Sequence, residues 1–311
     1  MLNLFSPEGK LIDSQENMEC ISSLAGLEYA MSANLTLESR ALLCDESHNL
    51  IVELGAYKGI IPREEAIYST SGEPVRDIAV ITRVGKPVCF KIVSIDKSSI
   101  PYRFILSRRL AQKECFHEYI NRLTPGDIID ARVTHTEPFG VFCDIGCGLV
   151  SLLPVDCISV SRISHPKERF VSGQYIKCII KSRDYETGRI MLTHKELLGT
   201  WQENASMFSP GQTAAGIVRS IEPYGIFVEL APNLAGLAEW CEDALPGMSA
   251  AVYIKSIIPE KMKIKLVIVD LSVRNSSCKA PEYFYNGESI SRWDYSPPEC
   301  EKQIYTDFTQ L

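Results

Sequence analysis

The segment Glu137-Pro138-Phe139-Gly140-Val141-Phe142 returns 85 residues later as Glu222-Pro223-Tyr224-Gly225-Ile226-Phe227, and this repetition constrains the fold more than any other feature. A fixed period means that one structural unit is used more than once. The match extends on both sides. Pro125-Gly126-Asp127 corresponds to Pro210-Gly211-Gln212, and an acidic-aliphatic step (Asp144-Ile145, Glu229-Leu230) precedes a Gly-Leu pair (Gly148-Leu149, Gly236-Leu237) in each copy. A weaker copy lies upstream, where Leu50-Ile51-Val52-Glu53-Leu54-Gly55 resembles Val141 to Gly146 and Gly59-Ile60-Ile61 resembles Gly148-Leu149-Val150. The units also end alike, in Phe104-Ile105-Leu106-Ser107, Ile190-Met191-Leu192-Thr193 and Ile264-Lys265-Leu266. Three units of roughly 70–80 residues follow from this period.

Each unit reads as β. In the middle one, Ile128 to Thr136 alternates and is β-branched, and Gly140 interrupts the next run as a bulge or tight bend does. Phe142 to Ile145 is a second strand, Gly146-Cys147-Gly148 turns, and Leu149 to Leu152 returns. An irregular stretch from Pro154 to Ser172 leads to strands over Tyr175 to Ser182 and Arg189 to Thr193, separated by a turn at Asp184 to Gly188. Five short strands in about 75 residues suit a closed OB-fold barrel. The links Arg109 to Arg122 and His194 to Phe208 have helical composition. The predicted fold is therefore mainly β: three tandem five-stranded OB-fold barrels joined by short helices, with an irregular C-terminal tail. Residues 1–30 form an acidic, helical lead, 31–110 a divergent barrel, 122–196 the best-formed barrel, 209–273 a shortened one, and 274–311 a loosely ordered tail. That tail carries Tyr283, Phe284, Tyr285, Trp293 and Tyr295, too aromatic for a linker, and is expected to pack on the last barrel or to fold on a partner.

The composition narrows function. With 45% hydrophobic and 23% charged residues the chain is an ordinary globular protein. No apolar run approaches the roughly 20 residues that span a bilayer, and the N-terminus lacks a secretory pattern, so a cytoplasmic protein without membrane contact is expected. The 11 cysteines have no framework spacing and no CxxC pair, which suits reduced core residues and weighs against zinc. The net charge of −7 is unusual for a nucleic-acid binder, but it is uneven. Residues 31–110 sum to +2 and residues 122–196 to +1, while the lead, the third unit and the tail hold the acid. Such a distribution permits near-neutral binding modules and argues against strong, sequence-blind DNA wrapping. No Walker loop, metal-binding His pair, nucleophile elbow or paired carboxylates appear, so no enzymatic activity, metal or cofactor is expected. Asp144 and Glu229 recur because the strands recur.

The middle unit resembles the RNA-binding domain of the ribosomal protein S-one family. The likeness rests on Pro125-Gly126, Ala131-Arg132-Val133, Phe139-Gly140-Val141-Phe142, Gly146, Gly148-Leu149-Val150, His165-Pro166, Gly173, Lys177, Asp184 and Gly188-Arg189-Ile190. The third unit is a shortened relative and the first a divergent one. The resemblance implies single-stranded RNA bound on one barrel face, with bases stacked on aromatic rings and basic groups on the backbone. It places the two platforms at Phe139 and Phe142, the basic position at Arg189 and the loop aspartate at Asp184; Ser151 stands where the family often has a histidine. In the third unit the platforms fall on Tyr224 and Phe227, Lys263 replaces the arginine, and Glu239 takes the histidine position, where it repels phosphate. In the first, His48 and Ile51 fall at the platform positions, which favours a structural or protein-contacting barrel. Strand alternation lets only one of Phe139 and Phe142 face outward unless Gly140 bulges. Arg132 and Lys177 read as solvated strand residues, His165-Pro166 as a loop-fixing pair, and His135 as either. The implied partners are messenger RNA in translation and the small ribosomal subunit, for a monomeric protein. The competing reading is a protein-interaction scaffold or a regulator of the ribosome or of RNA degradation.

Overall fold

A bent first strand organises each unit. In a computed structural model, which describes residues 5–69, 75–184, 187–273 and 280–310, two helices, α1 (Gln15–Ile21) and α2 (Leu24–Ser32), precede the first barrel. That barrel comprises β1 (Leu37–Cys44), β2 (Leu50–Leu54), β3 (Tyr57–Ile61), β4 (Pro87–Asp96) and β5 (Arg103–Ser107), with α3 (Asp77–Ile81) between β3 and β4. Helix α4 (Arg108–Glu118) leads to the middle barrel: β6 (Ile128–Glu137), β7 (Gly140–Gly146), β8 (Leu149–Pro154), β9 (Tyr175–Arg183) and β10 (Ile190–Thr193). Helix α5 (Trp201–Ala205) leads to the third: β11 (Thr213–Glu222), β12 (Gly225–Ala231), β13 (Leu234–Ala238), β14 (Ser249–Ile258) and β15 (Lys263–Ser272). All three close with the same order, first-second-third-fifth-fourth, and the third and fifth strands run parallel. The first strand pairs with both the second and the fourth. It reaches both by shifting register midway, at Ala41/Leu43, Val133/His135 and Val218/Ser220, where an extra residue bends the strand around the barrel. Alternation fills the interiors: Ile129, Ala131 and Val133 of β6 point inward, and each barrel has its own buried cluster.

The links are helical only in part. Arg109 to Arg122 holds α4 and a one-turn helix at Ile120–Arg122. His194 to Phe208 splits at Gly199 into a one-turn helix, Lys195–Leu198, and α5, which opens with a capping box between Thr200 and Glu203. Among the described residues no helix is long and apolar enough to cross a membrane.

Buried ion pairs sit at both junctions between barrels. At the first, Glu8 accepts from Arg108 Nε and Nη2 at 2.7 and 3.0 Å, and the Glu8 amide donates to Asp144 Oδ2 at 2.7 Å. Burial pushes Glu8 up, but the Arg108 guanidinium outweighs it and holds the carboxyl below its usual range. At the second, Glu229 Oε2 takes Arg169 at 2.6 Å and Arg219 at 2.7 Å, and Arg219 also reaches Glu168. Buried Asn233 donates to the carbonyls of Lys195 and Gly199 at 2.7 and 2.8 Å and accepts from the Val160 amide.

The described part of the tail holds a two-stranded sheet, β16 (Arg292–Asp294) with β17 (Tyr305–Asp307), and a one-turn helix at Phe308–Gln310. It packs on two barrels at once. Trp293 and Tyr295 join the core of the third, while Phe308 meets Ile179 and Leu197 beside the middle one. Residues 274–279, including Cys278, lie outside the described residues, as do 1–4, 70–74, 185–186 and 311.

Candidate nucleic-acid interface

The β6–β7 hairpin pairs Glu137 with Gly140, so Pro138 and Phe139 form the turn. Phe139 therefore escapes strand alternation and stands 55% exposed without any bulge at Gly140. The glycine has a different cause: a Cβ there would lie 2.5 Å from the Leu153 carbonyl oxygen on β8. Phe142, half-buried on the outer face, meets Phe139 edge to face at 6.0 Å and 87°. The bulge in β6 sets exposed His135 opposite Phe142, with the rings stacked at 4.4 Å and 11°. Thr134 Oγ1 donates to the Phe142 carbonyl at 2.8 Å and fixes this corner.

Strand register extends the face into a row, His135–Phe142–Leu152–Met191, across β6, β7, β8 and β10. Arg189 lies two residues before Met191, exposed, and borders a groove of about 680 Å³ together with Phe142 and Ser151. Ser151 is only 7% exposed and pairs with core residue Cys143. Asp184 turns inward on its own loop. Its carboxylate accepts from the Thr187 amide at 3.2 Å and hydroxyl at 2.6 Å, which holds Thr187 in place two residues ahead of Arg189.

The third barrel repeats the arrangement. Tyr224 occupies the hairpin turn, 69% exposed, and meets half-buried Phe227 edge to face at 6.2 Å and 89°. Its row is Ser220–Phe227–Leu237–Lys265, with exposed Lys263 two residues before Lys265. A lysine thus stands where the middle barrel has Met191, and a serine where it has His135. Glu239 is exposed and lies 3.6 Å from Lys255, which offsets its charge in place.

The first barrel differs. Its equivalent row is Leu43–Ile51–Ile60–Ile105, aliphatic throughout and partly exposed. His48 sits in the β1–β2 turn at φ +61°, with Nδ1 4.0 Å from Asp77. No ring of this row is available for stacking.

Two members of the face are not marked by sequence pattern alone. His135 reaches Phe142 only through the β6 bulge, which its alternation does not reveal. Lys265 is visible as the Met191 counterpart where the units end alike, but its nearness to Phe227 depends on the parallel pairing of β13 with β15. Among the described residues no group of three or more His, Cys, Asp or Glu side chains is placed to hold a metal ion.

The S1 RNA binding domain model matches residues 122–195. The small ribosomal subunit protein bS1 of Staphylococcus aureus is 29% identical over 276 residues, spanning 84% of this chain and 68% of that protein. The bS1 protein of Rhodopseudomonas palustris is 31% identical over 191 residues, spanning 60% of this chain and 32% of its own length. A bS1 homolog of Bacillus cereus is 25% identical over 226 residues, spanning 71% of this chain and 58% of its own. The chain thus has three closed barrels in tandem, the middle one matched by the S1 RNA binding domain model, and is similar over most of its length to ribosomal protein bS1.

Proposed function

We propose that this protein binds single-stranded RNA through the outer faces of its middle and third barrels and holds messenger RNA at the small ribosomal subunit. The observation that carries this is the recurrence of one aromatic pair in two barrels, at 6.0 Å and 87° and at 6.2 Å and 89°. Edge-to-face pairing leaves a ring face of each pair open to a base, and base–ring stacking is worth about 1–3 kcal/mol per base. Phe139, Phe142, Tyr224 and Phe227 are the platforms. Arg189, Lys263 and Lys265 hold the backbone phosphates. Asp184 acts by holding Thr187 ahead of Arg189, and Ser151 lines the groove beside it. Each face alone is weak, and two faces on one chain raise the effective concentration of the second once the first is filled. The protein works as a cytoplasmic monomer, as a binder rather than an enzyme. The aliphatic row of the first barrel is what supports a protein-contacting role for that barrel alone.

The test is fluorescence anisotropy with unstructured and duplex RNA at two salt concentrations. Preference for single strands and affinity that falls with salt are expected. Phe139→Ala combined with Phe142→Ala is expected to weaken binding strongly; unchanged binding would remove the platform assignment.

A further inference from the structure

The groove beside Arg189 does not end on the middle barrel. From Phe142 and Leu152 it continues between the barrels to Tyr68, in the loop after β3, and Phe116 of α4. Tyr68 and Phe116 lie 5.7 Å apart at 52°, and the Tyr68 amide donates to Gln112 Oε1 at 2.9 Å, which fastens the loop to α4. Phe116 reaches the turn that presents Arg189. A Cβ at Gly188 would come within 3.1 Å of its ring, and this residue, at φ +68°, is glycine. Both rings are half-buried, so each keeps a surface toward the groove.

The electrostatics point the same way. The charged side chains lining the groove, among the described residues, are Arg83, Arg108 and Arg189, with no carboxylate. Glu8 lies behind and spends its charge mainly on Arg108, at 2.7 and 3.0 Å, with Arg83 farther off at 3.7 Å. Aromatic rings beside an excess of guanidinium groups, three against the single Glu8 carboxylate, are the combination that takes a polyanion bearing flat rings.

We propose that this inter-barrel groove is a further nucleotide subsite, in which Tyr68 and Phe116 stack bases of the RNA strand leaving Phe142 while Arg83 and Arg189 hold its phosphates. The proposal rests on the RNA-binding reading of the middle barrel and extends it. The footprint then belongs to the junction of two barrels rather than to one, and the divergent first barrel contributes through its loop rather than through its aliphatic row.

Uridine oligoribonucleotides of about 4 and about 12 nucleotides separate the two parts, since one OB barrel covers roughly 4–16 nucleotides. Tyr68→Leu with Phe116→Leu keeps apolar packing against the turn and removes stacking. This variant is expected to bind the longer RNA about fivefold or more weakly and the shorter one unchanged, while Phe142→Ala weakens both. If the leucine variant binds the longer RNA as the parent does while Phe142→Ala weakens it, the groove is not a subsite. If Phe142→Ala changes nothing but the leucine variant weakens the longer RNA, the groove stands and the platform falls. If neither variant matters, both fall. Should the leucine variant unfold, ultraviolet crosslinking of the parent protein decides: RNA adducts on Tyr68 or Phe116 support the groove, and adducts confined to Phe139, Phe142, Tyr224 or Phe227 overturn it.

Discussion

Acid should loosen the tail while it tightens the N-terminal junction, and His194 is where the first effect can be measured. This histidine is 2% exposed, with Nδ1 3.0 Å from the Ile158 carbonyl and Nε2 3.4 Å from the Tyr283 hydroxyl. One neutral tautomer satisfies both: Nδ1–H donates to Ile158, and Nε2 accepts from Tyr283. The same hydroxyl accepts from the Lys177 amide at 2.8 Å, so His194 and β9 together anchor the tail. Burial pushes His194 down to about 4, the Ile158 carbonyl opposing and Arg169 assisting. The unfolded chain takes up this proton near pH 6.5, so stability present above that value is lost as pH falls toward 4. At about 1.36 kcal/mol per pH unit between 6.5 and about 4, the loss amounts to about 3 kcal/mol, of which about 2 is reached by pH 5. The first junction has the opposite sign. Burial pushes Glu38 up to about 7, and Asp144 is also raised, by burial and then by the nearby Glu8 carboxylate. Carboxyls raised in this way destabilise the fold as they ionise, so their junction gains stability as pH falls below 7. Whole-protein unfolding therefore mixes two trends, and hydrogen exchange by mass spectrometry separates them. Corrected for intrinsic rates, amides at 283–308 should lose protection between pH 7 and pH 5, while those at 8–12 should not. His194→Asn keeps a donor for Ile158 and does not titrate. If tail protection in that variant falls with pH as steeply as in the parent, the assignment to His194 is wrong.

Two further substitutions test the second junction and the phosphate contact. Glu229→Ala leaves Arg169 and Arg219, with side chains 11% and 8% exposed, short of their shared carboxylate. The expected loss is about 3–5 kcal/mol in urea denaturation, and a loss under 1 kcal/mol would mean that the pair contributes little. Arg189→Ala should reduce the slope of log affinity against log salt by about 0.7 for each phosphate that the guanidinium neutralises; an unchanged slope assigns the phosphate to another group.

Whatever depends on a local repeat was legible in the sequence, and whatever depends on partners outside it was not. Alternation in β6 and the turn glycines gave five strands per unit, and the shared Phe-Gly and Tyr-Gly turns located the aromatic pairs. Alternation constrains Phe139 only if it is a strand residue. The turn at Pro138-Phe139 frees it, and only the pairing of Glu137 with Gly140 reveals that turn. Asp144 and Glu229 illustrate the limit most clearly. As sequence they recur because β7 and β12 recur, yet both are buried, and each stands at a junction between barrels. The partners are unrelated: Asp144 receives the amide of Glu8, 136 residues away, and Glu229 receives Arg169, 60 residues away. Neither partner belongs to the matched segments, so comparing the repeats with one another does not find them. The same strand position thus meets a different neighbour in each copy, and these unlike contacts join barrels of one pattern in a fixed order.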